Sequence, residues 1–282
     1  MMTAHPPRVE QHNYAGRFLA LTWASFAQLV RAPSHSRRAE AARRAARHML
    51  WLTVIIGASV VTLMYMVDVA EISLMPARGT PGLWWVRILT DFGKDTYVLI
   101  ALGVLLIAVV IAAPAMRGTS RIVLAGLGTR LQYLFLSVAL ANIIADIIKF
   151  VVGRGRPFVG GKANAFNFQH FAGTEAYASL PSGHATTAFA LAFAVSAVWP
   201  QTRLPMFVYA IVIIGTRLVL LAHHPSDVVA GALVGIIGAM VVRYWFAARR
   251  LGFAIQQDGT IVSLAGPSPE RLKRVAGRAS AP

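Results

Sequence analysis

The sequence predicts an all-α protein, a polytopic membrane bundle with about six transmembrane helices. Three observations predict it. Hydrophobic residues make up 56% of the 282-residue chain and charged residues only 13%, whereas an ordinary soluble domain carries about a quarter charged residues. The mean hydropathy is +0.59. The apolar residues gather in stretches close to the roughly 20 that a bilayer-crossing helix needs, and arginines flank those stretches.

Residues 1–48 form a basic leading segment. Within it, residues 14–32 (YAGRFLALTWASFAQLVRA) set Phe18, Leu21, Phe26 and Leu29 among polar positions, the pattern of a helix lying in the membrane interface. The apolar stretch Phe18 to Val30 follows a polar lead and precedes no small-residue cleavage pattern, so it does not read as a signal peptide. The membrane domain is expected over 49–247, with spans at Met49–Val69, Tyr97–Pro114, Leu131–Lys149, Ser182–Trp199, Pro205–Ala222 and Asp227–Phe246. The fourth is short and begins on a motif. Between the first two spans, Pro81–Leu89 (PGLWWVRIL) carries two tryptophans, a pairing suited to the outer interface. Residues 248–282 read as a basic tail, polar and unstructured from Gln256 onward.

Loop charge sets the direction of the spans. Arg37, Arg38, Arg43, Arg44 and Arg47 precede the first, and Arg117, Arg121 and Arg130 lie between the second and third. Arg203 separates the fourth and fifth, while Arg243, Arg249 and Arg250 close the sixth. With six alternating helices these all fall on one side, the cytoplasmic side by the positive-inside rule, and both termini are expected there.

The balance of 27 Lys+Arg against 11 Asp+Glu gives a net charge of +16. Bases placed at the ends of apolar runs fit anionic lipid headgroups rather than nucleic acid, and no nucleic-acid partner is expected. The absence of cysteine excludes thiol catalysis, disulfides and cysteine-ligated metals.

Three polar clusters interrupt the hydrophobic pattern: Lys149–Pro157 (KFVVGRGRP), Leu180–His184 (LPSGH) and Thr216–Asp227 (TRLVLLAHHPSD). The loop-charge topology brings all three to the outer ends of spans three to six. Lys149, Arg156 and Arg217 are cations with few acids nearby, and gathering them is unfavourable unless an anion joins them; phosphate matches guanidinium forks in charge and geometry. Ser182 and Gly183 open a helix, whose first N–H groups suit an oxyanion. Taken singly, each base reads as a snorkelling side chain. Beside two histidines, the set reads as an anion site. An imidazole such as His184 or His223 can attack phosphorus or protonate a leaving alkoxide, and Asp227, four residues beyond His223, can orient a ring or cap the sixth span.

These residues resemble the signature of the type 2 phosphatidic acid phosphatase superfamily, K-x6-RP, then PSGH, then SR-x5-H-x3-D. Here the pattern is Lys149-x6-Arg156-Pro157, Pro181-Ser182-Gly183-His184, and Arg217-x5-His223-x3-Asp227, with Thr216 in place of the pattern's Ser. The resemblance implies a metal-independent, cofactor-free phosphoric ester or diphosphate hydrolase. His223 would be the nucleophile that becomes phosphorylated and Asp227 its orienting partner. His184 would be the acid and then the base. Lys149, Arg156, Ser182, Gly183 and Arg217 would bind the phosphoryl oxygens. No metal-ligand cluster is apparent in the sequence, in keeping with this. The expected substrate is a lipid phosphate such as phosphatidic acid, phosphatidylglycerol phosphate, undecaprenyl diphosphate or a lipid A phosphate. The expected place is a bacterial inner membrane, with the site on the periplasmic face. Transfer to another lipid alcohol is the alternative; a non-enzymatic membrane protein, for example a haem-binding bundle using His184 and His223, is a third. Soluble vanadium-dependent haloperoxidases share the motif, but six apolar spans argue against them. Only His223 meets both spacings, which leaves His224 as a pocket or interface residue. His170 and Glu175 read as solvated loop residues, and Asp146 as a helical partner of Lys149.

Overall fold

A computed structural model of the protein describes residues 14–264 except 78, 158 and 162. In chain order the helices are α1 (Tyr14–Val30), α2 (Arg38–Met66), α3 (Asp68–Leu74), α4 (Trp84–Asp91) and α5 (Asp95–Ala112). They continue with α6 (Gly118–Val152), α7 (Gly183–Val198), α8 (Arg203–Val219) and α9 (Pro225–Ala248), and a hairpin of β1 (Phe253–Ile255) and β2 (Ile261–Ser263) closes the described chain. Among the described residues five helical stretches are long and apolar enough to cross a membrane, and α7, with 16 residues, is a shorter apolar helix. The expected all-α membrane bundle is what forms.

Each expected span has its helix, but several ends differ. The first and third spans extend back to Arg38 and Gly118 as α2 and α6. The first extension, residues 38–48, is rich in Ala and Arg, residues that favour helix whether or not lipid surrounds them, while the second, residues 118–130, mixes Ile, Val and Leu with Gly, Thr and Arg. A hydropathy pattern marks the buried length of such a helix, not its start.

The bundle is built around α7 and α9. Small residues let the two backbones meet, the usual device where apolar lipid removes the hydrophobic drive between helices. A methyl group built on Gly231 would stand 2.5 Å from the Ser182 carbonyl oxygen, and one on Gly238 would stand 2.8 Å from Cβ of Ala141 in α6. Helix α6 packs against α9, α7 and α5, α2 lies along α9, and α8 lies along α7. Helix α1 buries no residue; it is tied down at Tyr14, Ser25 and Leu29 and exposes Leu19, Trp23, Phe26 and Val30.

The hairpin departs from the unstructured tail expected from Gln256. Phe253 pairs with Ser263 and Ile255 with Ile261, around a turn at Asp258-Gly259, with Gly259 at φ 78°. Tyr133 of α6 holds it, its ring 4.8 Å from Phe253 and 5.5 Å from Phe246. An Asp-Gly pair between apolar residues is a hairpin signal, and the polar composition around it masked that signal. Residues 265–282, the rest of the expected tail, lie outside the described residues.

Candidate active site

Helix α6 ends at Gly153, which adopts φ 58°. A side chain there would run into the Gln169 backbone, so only glycine lets the chain turn this tightly. The turn lays residues 153–156 beside the returning loop, with Gln169 N–H donating to the Gly153 carbonyl at 2.7 Å and Gly155 N–H to the Asn167 carbonyl at 2.8 Å. Arg154 is thereby driven inside and Arg156 is held at the rim of a cavity.

That cavity, about 500 Å³, is lined by Lys149, Arg156, Gly183, His184, Arg217 and His223, with Asn142, Asp146 and Glu175 among the other residues of its wall. Residues from α6, α7, α8 and the loop before α9 thus share one space at one end of the bundle. A methyl on Gly183 would stand 3.2 Å from Lys149 Nζ, so the glycine leaves room for the cation to lie against the start of α7. The first N–H groups of that helix have no intrahelical acceptor.

Each cation is held in place. Lys149 pairs with Asp146 at 2.8 Å, as their spacing on one helical face suggested. Arg156 donates to the Glu175 carboxylate at 2.7 Å and to the Glu175 carbonyl at 2.9 Å. Glu175 is thus solvated, as the sequence reading has it, with its side chain 92% exposed, and is tied to Arg156 as well. Arg217 donates to Thr90 Oγ1 at 2.9 Å, and the Thr216 hydroxyl donates its one proton to the Ile213 carbonyl at 2.6 Å and lies 2.9 Å from Thr90 Oγ1. The hydroxyl that Thr216 keeps in place of serine is spent on helices α8 and α4, away from the cavity wall.

His223 is 3% exposed, and its Nδ1 lies 2.9 Å from the Ser179 carbonyl oxygen. A carbonyl only accepts, so Nδ1 carries the proton and Nε2 keeps its lone pair. Burial pushes the imidazole well below its ordinary pKa, with Arg217 and Arg156 acting in the same direction against the pull of Asp227. His223 is accordingly neutral at physiological pH. His184 Nε2 is buried without a hydrogen-bond partner among the described residues.

Asp227 and Ser182 stand behind the wall. Asp227 Oδ2 is 3.9 Å from His223 Nδ1, beyond hydrogen-bond reach. It accepts instead from the Ser179 hydroxyl at 2.6 Å and lies 3.1 Å from His224 Nδ1. The carboxylate thus fixes Ser179, and the Ser179 carbonyl holds His223. This differs from direct orientation of the ring, and the reason is that His224 and Ser179 already occupy Oδ2. Ser182 is the N-cap of α7, its hydroxyl accepting from Ala185 N–H at 3.5 Å and its own N–H donating to the Asp227 carbonyl. His224, fully buried, caps α9. His170 lies near the Val151 carbonyl, and it is not among the cavity-wall residues.

Sequence reasoning missed Arg154. It is fully buried and donates to Asp227 Oδ1 at 2.6 Å, Asp68 Oδ2 at 2.8 Å, Ser226 Oγ at 2.6 Å and the Ala165 carbonyl. Asp68, also fully buried, accepts from Ser226 N–H and Oγ. The available signal was an acid inside the end of the expected first span, Met49–Val69, where a charge is costly unless paired. No group of three or more His, Cys, Asp or Glu among the described residues is arranged to hold a metal ion.

Comparison with known proteins fits this geometry. The family model of the PAP2 superfamily matches residues 130–251, the stretch that supplies Lys149, Arg156, His184, Arg217, His223 and Asp227. This segment belongs to the PAP2 superfamily. The chain is similar to a lipid A 1-phosphatase of Rhizobium johnstonii, 35% identical over 51% of this chain and 57% of that protein. It is similar also to a lipid A 1-phosphatase of Rhizobium etli, 35% identical over 45% of this chain and 55% of that protein. A lipid A 4'-phosphatase of Bacteroides thetaiotaomicron is 31% identical over 42% of this chain and 44% of its own length. The chain spans about half the length of the curated relatives it matches. No solved structure matches it. Asp68 and Thr90 lie before the PAP2 segment, so the helices ahead of it also support the cavity, through Arg154 and Arg217.

Proposed function

We propose that this chain is a membrane phosphatase that removes a phosphate from a lipid phosphate ester or diphosphate through a phosphohistidine on His223. One observation carries the reading: two imidazoles and three cations from helices α6, α7 and α8 and the loops beside them line a single cavity, and the His223 tautomer leaves Nε2 with a lone pair.

In this mechanism His223 Nε2 attacks phosphorus while the bond to the lipid oxygen breaks, and His184 gives that oxygen a proton. Lys149, Arg156, Arg217 and the N–H groups opening α7 hold the remaining phosphoryl oxygens, whose charge they neutralise in the transition state. His184 then takes a proton from water, the water oxygen bonds to phosphorus, the P–N bond breaks, and phosphate leaves with His223 restored. Asp227 acts through Ser179, fixing the carbonyl that sets the nucleophile's tautomer.

The relatives favour a lipid A phosphate among the possible substrates. By loop charge, the cavity opens on the periplasmic face of a bacterial inner membrane. The test is a phosphate-release panel with purified protein on lipid A, phosphatidic acid, phosphatidylglycerol phosphate and undecaprenyl diphosphate. The reading predicts fastest release from lipid A. Release from none of the four contradicts the lipid-phosphatase reading, and loss of substrate phosphate to an added lipid alcohol in place of water makes the chain a transferase.

A further inference from the structure

Helices α8 and α9 are joined at the active-site end by residues 220–224 and both pack on α7, yet they touch each other sparingly. Away from the site they splay. The gap at the far end is a cavity of about 600 Å³, floored by α7 and bounded by β2 of the hairpin. Its wall is largely apolar, with Phe189, Phe193 and Phe207 along the slot. Two arginines also line it, Arg203 opening α8 and Arg243 near the end of α9.

Among the described residues neither arginine has a carboxylate partner. Arg243 donates to the Ile261 carbonyl and lies over the rings of Phe193 and Phe253, 5.9 and 5.8 Å from their centroids. Its Nε is buried with no acceptor. Ser196 and Ser263 add hydroxyls to the same wall. Two like charges without a carboxylate partner among the described residues, beside an apolar slot, call for an anion that carries hydrocarbon.

We propose that this cleft binds an acidic glycerophospholipid from the leaflet at the hairpin end, its phosphodiester between Arg203 and Arg243 and an acyl chain along the three phenylalanines. The arginine-rich end is where positive-inside charge places the cytoplasmic leaflet, whose lipids are often anionic. The chain's own tail is a poor occupant, since residues 265–282 carry Arg271, Lys273, Arg274 and Arg278 against Glu270 alone. The site is separate from the catalytic cavity and does not rest on the phosphatase reading.

The test is thermal unfolding of the full chain in dodecyl maltoside, with phosphatidylglycerol or phosphatidylcholine added at equal mole fraction. A ligand that binds only the folded state raises the unfolding temperature. Phosphatidylglycerol is expected to raise it by more than phosphatidylcholine, and the excess is expected to shrink in high salt. Arg203→Gln with Arg243→Gln removes that excess while phosphate release stays unchanged. Ser196→Trp, which fills the slot and keeps both charges, removes it as well, and it carries the test if the double variant does not fold. Equal stabilisation by the two lipids, or an excess that survives in these variants, overturns the proposal. So does an excess that appears only after residues 265–282 are removed, which would mean that the tail fills the cleft.

Discussion

Arg154 holds two buried carboxylates, Asp68 and Asp227, that stand 86 and 73 residues from it in sequence. Removing one member of such a group leaves uncompensated buried charge, at a cost of roughly 3–5 kcal/mol. Arg154→Ala is therefore expected to lower the unfolding temperature sharply, and Arg154→Lys, which keeps the charge, is expected to recover part of the loss. Glu71 sits nearby, buried with neither oxygen bonded among the described residues. Burial, then the charges of Asp68 and Asp227, pushes its pKa up to about 7. A carboxyl raised in the folded state binds its proton more tightly there than in the unfolded chain. Its contribution to stability is then complete below the ordinary glutamate range and is lost as pH rises toward 7. Glu71→Gln should raise the unfolding temperature at pH 8 and change it little at pH 4, as a melting series over pH would read. His223, His184 and the three cavity cations were legible because they carry costly polarity at span ends in a fixed spacing. Arg154 was not, since it stands among basic residues that read as phosphate ligands, and its acids are remote in the chain.

At the scale of elements, the site depends on how closely α7 and α9 approach. Gly235 faces the Thr186 carbonyl, and a methyl there would also stand 2.8 Å from the Ala190 N. Thr186 is half a turn from His184, so a wedge at Gly235 shifts the helix that carries the acid. Gly235→Val is expected to lower turnover by more than tenfold, measured as phosphate release, with a fall in unfolding temperature from overpacking of about 1–3 kcal/mol. The expected spans were legible because apolar runs of bilayer length are rare outside membranes, although α7, with 16 residues, falls short of that length. The backward extension of α2 was not, since the helix propensity of its Ala and Arg, without hydropathy, leaves no edge in the pattern. The route from Asp227 through Ser179 to His223 was also hidden: it passes through a loop whose fold depends on the Gly153 turn and the strand-like pairing of residues 153–156 with 167–169.

For the whole molecule, the account needs the cavity and the hairpin on opposite membrane faces. The chain has no cysteine, so a single introduced thiol reports its own position. In intact cells, Thr174→Cys at the cavity is expected to react with an impermeant maleimide, and Gln257→Cys at the hairpin only after the membrane is opened. The reverse pattern would invert the topology. The chemistry has a more direct test. Purified protein given a radiolabelled lipid phosphate and quenched within a turnover should carry acid-labile, alkali-stable phosphate, lost in His223→Ala and kept in His224→Ala. Label that persists in His223→Ala, or active protein that never takes up label, would contradict a phosphohistidine on His223.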